Sequence, residues 1–173
     1  MTSETTAMGH ASSSLEWAIQ IIQTSLAGPA AEHMCFRSTV EEIVAHHEAG
    51  HAVASFLLGR RFAEISIVPR PDSNGRVIYN RGTPGDSAPI QPDREIADSF
   101  GCVAAVDVSE IERATRTTIA DHWPMVRRLA DELIERKVLS GRRARQILYK
   151  AQRKEMRRAR PSVPTLMRQF PRS

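Results

Sequence analysis

The stretch "IVAHHEAGHAVASFLLG", Ile43 to Gly59, is the part of the sequence from which the fold is best predicted. Apolar residues recur in it at helical spacing, and a glycine follows them, as is common at the end of a helix. Thr39 and Glu42, three residues apart, form a capping-box pattern that marks a helix start. We therefore predict one helix that begins after Thr39 and ends at Leu58.

The centre of this helix carries His47, Glu48 and His51. Residues i and i+4 lie on one face of a helix, so the two imidazoles can bind the same ion, and such a pair is typical of zinc sites. Glu48 lies at the rim of that face, where it can act as general base toward a metal-activated water in peptide-bond hydrolysis. The sequence thus predicts Zn²⁺ as the cofactor, His47 and His51 as ligands and Glu48 as the catalytic residue.

The alternative is that these histidines only form hydrogen bonds within a core. The small and apolar residues around them favour a metal, because polar groups on a buried helix need partners. His46 lies off the shared face, and we place it at the surface or behind the ligands.

The chain has 173 residues, the size of one ordinary domain, with 41% hydrophobic and only 5% aromatic residues. Its two cysteines, Cys35 and Cys102, form no CxxC pair, and we interpret them as buried thiols of a cytoplasmic protein. No apolar run reaches the length of a membrane span, and the N-terminus lacks the features of a signal peptide.

The net charge of +4 is distributed unevenly. Residues 142–173 contain eleven Lys and Arg and one acidic residue, whereas residues 1–141 contain thirteen Lys and Arg and nineteen Asp and Glu. The sequence therefore predicts a flexible tail (1–13), a zinc peptidase-like domain (14–141), a basic helix (142–160) and a second flexible tail (161–173). The basic helix indicates a charged surface for an acidic partner, an anionic membrane surface or nucleic acid; the alternative is a solvated helix end that keeps the protein soluble. Nucleic acid is disfavoured because Tyr149 is the only aromatic residue in the helix that could stack on a base.

Periodicity and turn residues predict the remaining elements. The first helix should begin at a capping box formed by Ser13 and Glu16 and stop at Gly28-Pro29, and a short second helix should cover 30–36. Alternating residues predict strands at 63–69 and 76–80, and a loop covers 82–92. Further helices are predicted at 93–106, 109–122 and 125–137, and Ser140 should cap a last helix that runs to about residue 160. The expected class is α+β and mainly helical, with the HExxH helix beside a small β-hairpin or sheet and followed by a helical bundle.

The stretch "AHHEAGHAVASFLLGRRFAEISIVPR", Ala45 to Arg70, resembles the peptidase domain of the FtsH-type ATP-dependent zinc metalloproteases. There too HEAGHA is followed by an apolar helix end and a strand that ends close to Val-Pro-Arg. "SEIERAT" (109–115) is similar to a second stretch of that family, and "LADELIERKVLSG" (129–141) to its closing helices. The resemblance implies a zinc metalloendopeptidase that acts on unfolded protein or peptide. The chain has no GxxxxGK[ST] phosphate loop, so we expect activity without ATP.

The resemblance also implies a third zinc ligand. The family's ligand is an Asp in the second stretch, and Glu110 occupies that position here. Asp107, nearly one turn earlier, is the alternative, and Asp121 and His122 come behind it. "LAGPAAE" (26–32) resembles a helix that the family places after the strand that follows HEAGH. Here this stretch precedes HEAGH, so either the topology is rearranged or the match is fortuitous.

A second hypothesis is a non-catalytic module that keeps this fold and acts through its basic helix. An enzyme needs an open fourth coordination position on the metal and a groove, where an edge strand such as Glu64–Val68 can pair with the substrate backbone. A binding module needs neither.

Overall fold

The computed structural model of the protein describes residues 4–35, 39–71, 73–79 and 107–159. It confirms the mainly helical α+β class. The elements of these residues, in chain order, are α1 (Glu4–His33), α2 (Val40–Leu57), β1 (Phe62–Ser66), β2 (Arg76–Tyr79), α3 (Val108–Asp121), α4 (Trp123–Arg136), β3 (Val138–Ser140) and α5 (Gly141–Ala159). Within the described ranges, no helix combines the length and the apolar character that crossing a membrane requires.

The central helix α2 forms as the sequence predicts. Thr39 Oγ1 accepts a hydrogen bond from the Glu42 amide at 3.3 Å, and Glu42 Oε2 accepts one from the Thr39 amide at 2.8 Å, which completes the capping box. Gly59 ends the helix with φ at +72°, a conformation that favours glycine. Small and apolar side chains of α2, among them Ala49, Ala52 and Val53, are fully buried.

Helix α1 differs from the prediction at both ends. It begins at Glu4, so most of the predicted flexible tail is helical, and it continues through Gly28 and Pro29 to His33 without the predicted stop. The predicted short second helix is therefore the last turn of α1. The reason is tertiary packing, since Ala27, Ala30 and Ala31 of α1 are buried in the core cluster that α2 also enters.

The three strands form an antiparallel sheet in the order β2-β1-β3. Ile65 and Ile67 of the central segment are buried in the core. The sequence prediction that Glu64–Val68 is an edge strand is wrong, because β1 pairs with a strand on each side. Among the described strands, β2 and β3 form the edges. The predicted loop 82–92, the predicted helix 93–106 and the predicted tail 161–173 lie outside the described residues.

The last helix, α5, is part of the domain and not an appendage to it. Ala144, Ile147 and Leu148 of α5 are buried in the core. Gly141 touches β1 so closely that a Cβ there would lie 1.8 Å from the Phe62 carbonyl oxygen. The predicted cap of this helix is present, because the Arg143 amide donates to Ser140 Oγ at 3.3 Å. The sequence-based division at residue 142 therefore follows the charge but not the packing.

A network of ion pairs at Glu132 links α4 to α5, and the Glu132 side chain is 8% exposed. Its carboxylate accepts hydrogen bonds from Arg128 at 2.9 Å and Arg136 at 3.1 Å, and Arg143 of α5 lies at 3.8 Å. The hydrogen bond from Arg136 is the main cause that lowers the pKa of Glu132, and the charges of the three arginines add to it.

We predict that Glu132→Gln lowers the free energy of unfolding by about 1–2 kcal/mol, because a charge-assisted hydrogen-bond acceptor is lost while its arginines stay half exposed. The lowered pKa means that the carboxylate stabilises the fold above about pH 4.3 and ceases to do so as the pH falls through the folded-state pKa. Urea unfolding at several pH values should show the two proteins converging in acid. Glu135→Gln, at an exposed position of α4, is the control, and an equal loss in both variants would contradict the prediction.

Candidate metal centre

His47 and His51 bring their Nε2 atoms together. One turn of α2 separates the two residues, and their Nε2 atoms lie 3.1 Å apart, with the rings nearly perpendicular at an interplanar angle of 79°. The structure thus places the two predicted ligands on one face with converging nitrogens, as the i, i+4 spacing requires.

Helix α1 forms the opposite wall at Gly28. A Cβ at that position would lie 2.4 Å from His51 Nε2 and 2.8 Å from His47 Nε2. Real side chains do not tolerate such distances, so the absence of a side chain at Gly28 is what lets both imidazoles reach this point. The backbone of α1 therefore borders the space into which the two nitrogens point.

The outer nitrogens of both rings are held by α1. His47 Nδ1 lies 3.0 Å from Glu32 Oε2, and His51 Nδ1 lies 2.7 Å from the Thr24 carbonyl oxygen. A carbonyl or a carboxylate only accepts hydrogen bonds, so each Nδ1 is the donor and carries a proton. Histidine ligands of metals are oriented by contacts of this kind.

The Thr24 side chain links its own helix, α1, to the segment that follows α2. It is 2% exposed, and its hydroxyl donates to the Gln20 carbonyl at 2.7 Å. Arg60, just beyond α2, donates to the same hydroxyl oxygen at 3.3 Å. The carbonyl that orients His51 therefore belongs to a residue with little freedom to move.

The electrostatics of the pair require a positive charge between the two rings, either a proton or a metal ion. Burial is the main cause that lowers the pKa of His51 to about 4, and the neighbouring His47 adds to it, against the hydrogen bond to Thr24, which raises the pKa. His51 is thus neutral at pH 7, with a lone pair at Nε2. Two lone pairs 3.1 Å apart repel each other unless a positive charge is shared between them. A zinc ion or a proton on His47 Nε2 meets this requirement, and the donor set of two neutral imidazoles fits zinc.

Glu48 lies under the turn that precedes β2. Its side chain is buried, and within the described residues its Oε2 has no hydrogen-bond partner. A Cβ at Gly75, in that turn, would lie 2.7 Å from Glu48 Oε1 and 2.9 Å from Val44 Cγ1, so the turn covers the carboxyl group. Burial raises the pKa of Glu48 to about 8. A buried carboxyl group without a partner, next to the histidine pair in sequence, is a candidate for proton transfer.

The structure does not bring Glu110 to the histidine pair. The Glu110 side chain is 70% exposed on α3 and lies 3.8 Å from Arg113, three residues on. Over the described parts of the chain, no three His, Cys, Asp or Glu side chains come together in a group that could hold a metal. The resemblance remains the only argument for Glu110 as third ligand.

The alternative ligands have structural contacts of their own. Asp107 caps α3, because it accepts from the Ser109 amide at 2.9 Å, and hydrogen bonds from Ser109 lower its pKa. His122 Nδ1 donates to the Thr118 carbonyl at 2.9 Å, and Asp121 is exposed. His46 binds the Glu42 carbonyl at 2.7 Å and its ring stacks on Trp123, which agrees with its predicted place off the ligand face.

Sequence reasoning missed Thr24, Gly28 and Glu32 as parts of this centre. Gly28-Pro29 is a typical helix stop, and that pattern hides the continuation of α1 past the histidine pair. The signal that could have found it is the stretch "LAGPAAE", which resembles a family segment and which α1 places directly against HEAGH.

Comparison with known proteins identifies no relative. No protein-family profile matches the chain, and no curated protein or solved structure matches it significantly.

We predict that the purified protein binds about one zinc ion per chain and that His47→Ala or His51→Ala abolishes this binding. Glu32→Gln should weaken zinc binding by about 10- to 100-fold, because it removes the negative charge that accepts from His47 Nδ1. Zinc content and competition with a coloured chelator measure both effects. Glu16→Gln, at an exposed position of α1, is the matched control. Full zinc content in both histidine variants would place the metal elsewhere, and equal affinities of the two glutamine variants would remove Glu32 from the centre.

For the third ligand, Glu110→Ala should weaken zinc binding far more than Asp107→Ala, because only Glu110 occupies the position of the family's ligand. Asp107→Ala should instead lower the melting temperature, since it removes the cap of α3. Measuring zinc affinity and thermal unfolding on the same samples separates the two roles. The reverse order of zinc affinities would make Asp107 the ligand and discard the alignment of "SEIERAT".

Proposed function

We propose that the protein is a zinc-dependent metalloendopeptidase that resembles the peptidase domain of the FtsH-type proteases. The observation that carries the proposal is the convergence of His47 and His51 Nε2 at 3.1 Å while α1 holds both Nδ1 atoms. A hydrogen bond between the two Nε2 atoms would need an additional proton on one ring, whereas a metal ion could accept both lone pairs while each Nδ1 keeps its proton.

Zinc, when bound by His47 and His51, would supply a Lewis acid that polarises the scissile carbonyl and increases the acidity of water. The third ligand is the carboxylate that the resemblance assigns to Glu110, which lies exposed on α3 and away from the histidine pair in the structure. Glu48 would accept the proton of the water whose oxygen bonds to the carbonyl carbon. It would then give that proton to the leaving amine nitrogen as the carbon–nitrogen bond breaks. Burial raises the pKa of Glu48 to about 8, which disfavours the ionised form at pH 7; a zinc ion held by the neighbouring histidines would favour that form, which is the one that accepts a proton.

The substrate, in this proposal, is an extended segment of an unfolded protein or peptide that pairs with β2. This strand forms an edge of the described sheet, and Gly75, immediately before it, touches Glu48. A segment that adds to β2 through main-chain hydrogen bonds would therefore pass close to the proposed base. The edge strand of the proposal is β2 and not β1, which has partners on both sides.

The second candidate is the non-catalytic module, which would use the same fold to bind an acidic partner through α5. The observation that favours it is the exposed basic surface of α5. For either function we propose a cytoplasmic location, because the two cysteines of the sequence have no pairing pattern.

We predict that Glu48→Gln keeps zinc content and fold but reduces the hydrolysis of casein by about 10²-fold or more, the usual scale for a general base. The substitution keeps the size of the side chain and removes its basicity. ATP should not change the rate, because the sequence contains no phosphate loop. Glu41→Gln, on the exposed side of the same helix, is the control and should keep most of the activity.

Two outcomes contradict this assignment in different ways. If wild type and Glu48→Gln both bind zinc and neither cleaves casein or a broad peptide library, the binding module becomes the better explanation. If Glu48→Gln cleaves as fast as wild type, the glutamate has no catalytic role and the mechanism is wrong.

A further inference from the structure

A groove runs between α4 and α5, which together carry nine of the fifteen arginines of the described residues. Its volume is about 530 Å³, which is within the usual range for ligand-binding clefts. Trp123 and Pro124 from α4, with Ile147 and Ala151 from α5, supply its apolar lining. The groove is therefore concave and partly apolar, unlike a flat charged surface.

The charged residues of the groove fall into two sets. Glu132 is neutralised by Arg128 and Arg143, which also line it. Arg127, Lys150 and Lys154 are exposed along the rims, and within the described part of the chain they make no ion pair. These three cations are available to an occupant, and Asp131 is the exposed acidic residue among them.

Glu155 requires a hydrogen-bond donor from the occupant of the groove. It lines the groove, and its Oε1 is buried without a hydrogen-bond partner among the described residues. A buried acceptor without a partner is costly, and an N–H group of an occupant would satisfy it. An occupant must therefore provide negative charge for the rims, an apolar group for the lining and an N–H donor for Glu155.

We infer that the α4–α5 groove binds a peptide segment of a partner protein in which acidic side chains flank an apolar anchor. A peptide provides all three features, because its backbone supplies the N–H group. A phosphodiester backbone supplies charge but neither an N–H donor nor an apolar anchor, and a membrane surface does not enter a concave groove. This inference gives a specific site to the second candidate function, an acidic partner bound through α5, and it is independent of the proposed peptidase activity.

Binding is tested by fluorescence anisotropy on the full chain, in EDTA so that no zinc-dependent cleavage destroys the probe. The probe is a fluorescein-labelled peptide in which glutamates flank a central leucine–phenylalanine pair. Two control peptides replace either the glutamates by lysines or the central pair by serines. We expect micromolar binding of the probe and at least about 10-fold weaker binding of each control, the effect of losing one well-buried contact.

Matched charge reversals locate the site on α5. Lys150→Glu combined with Lys154→Glu changes the groove, whereas Arg153→Glu combined with Arg157→Glu changes the same net charge on the same helix outside the lining. We expect the first pair to weaken binding at least about 10-fold and the second less than about 3-fold. All four positions are exposed, and circular dichroism checks that the variants fold.

Three results overturn the inference. Equal losses in the two charge-reversed proteins would mean diffuse attraction to the whole basic face of α5. No binding of the probe at about 100 μM would mean that the groove does not accept such a segment. Tighter binding of a DNA duplex or of vesicles containing phosphatidylserine than of the probe, with the same sensitivity to Lys150 and Lys154, would assign the groove to those ligands.

Discussion

The close approach of α1 to α2 is the contact on which the metal centre depends. A Cβ at Gly50 of α2 would lie 2.4 Å from the Ala27 carbonyl oxygen of α1 and 2.8 Å from the Ala31 Cβ. The two helices can come this close only because small residues face each other. At that separation Gly28 borders both imidazoles, and Glu32 and Thr24 reach their outer nitrogens. A larger side chain at either glycine would push α1 away and remove these orienting contacts together.

The same contact explains why α1 tolerates Pro29. A proline inside a helix costs roughly 3 kcal/mol, because a backbone hydrogen bond is lost and the ring clashes with the preceding turn. Burial of an apolar group stabilises by about 0.8 kcal/mol for each CH₂ equivalent. Ala30 and Ala31 follow the proline and are buried in the core cluster that α2 also enters, so continuing the helix gains these two groups, which offset part of the cost.

The sequence predicted correctly those features that depend on residues close together in the chain. The capping box at Thr39, the stop at Gly59 and the pairing of His47 with His51 depend on residues a few positions apart, and all of these geometries agree with the sequence prediction. β3 was not predicted, because a three-residue strand is defined by its pairing with β1 and not by its own pattern. The end of α1 and the roles of Gly28 and Glu32 depend on α2 as a partner, which one stretch of sequence does not reveal. The third zinc ligand is equally hard to predict from a short stretch of sequence, since it must come from an element other than α2.

Charge and packing divide the chain differently, and α5 shows why. The net charge changes sign near residue 142, yet Ala144 and Leu148 of α5 are fully buried. Arg145 donates to the Phe62 carbonyl at 3.1 Å, so even a basic residue of α5 helps to hold the sheet. A helix buries one face only, and the basic residues occupy the remaining face, where they stay in water. The charge asymmetry therefore describes the outer surface of an integral helix. It follows that α5 cannot be removed to test the function of its charges, because the core would lose Leu148 and β1 would lose the contact at Phe62. Only substitutions at exposed positions separate the contribution of the charges from that of the fold.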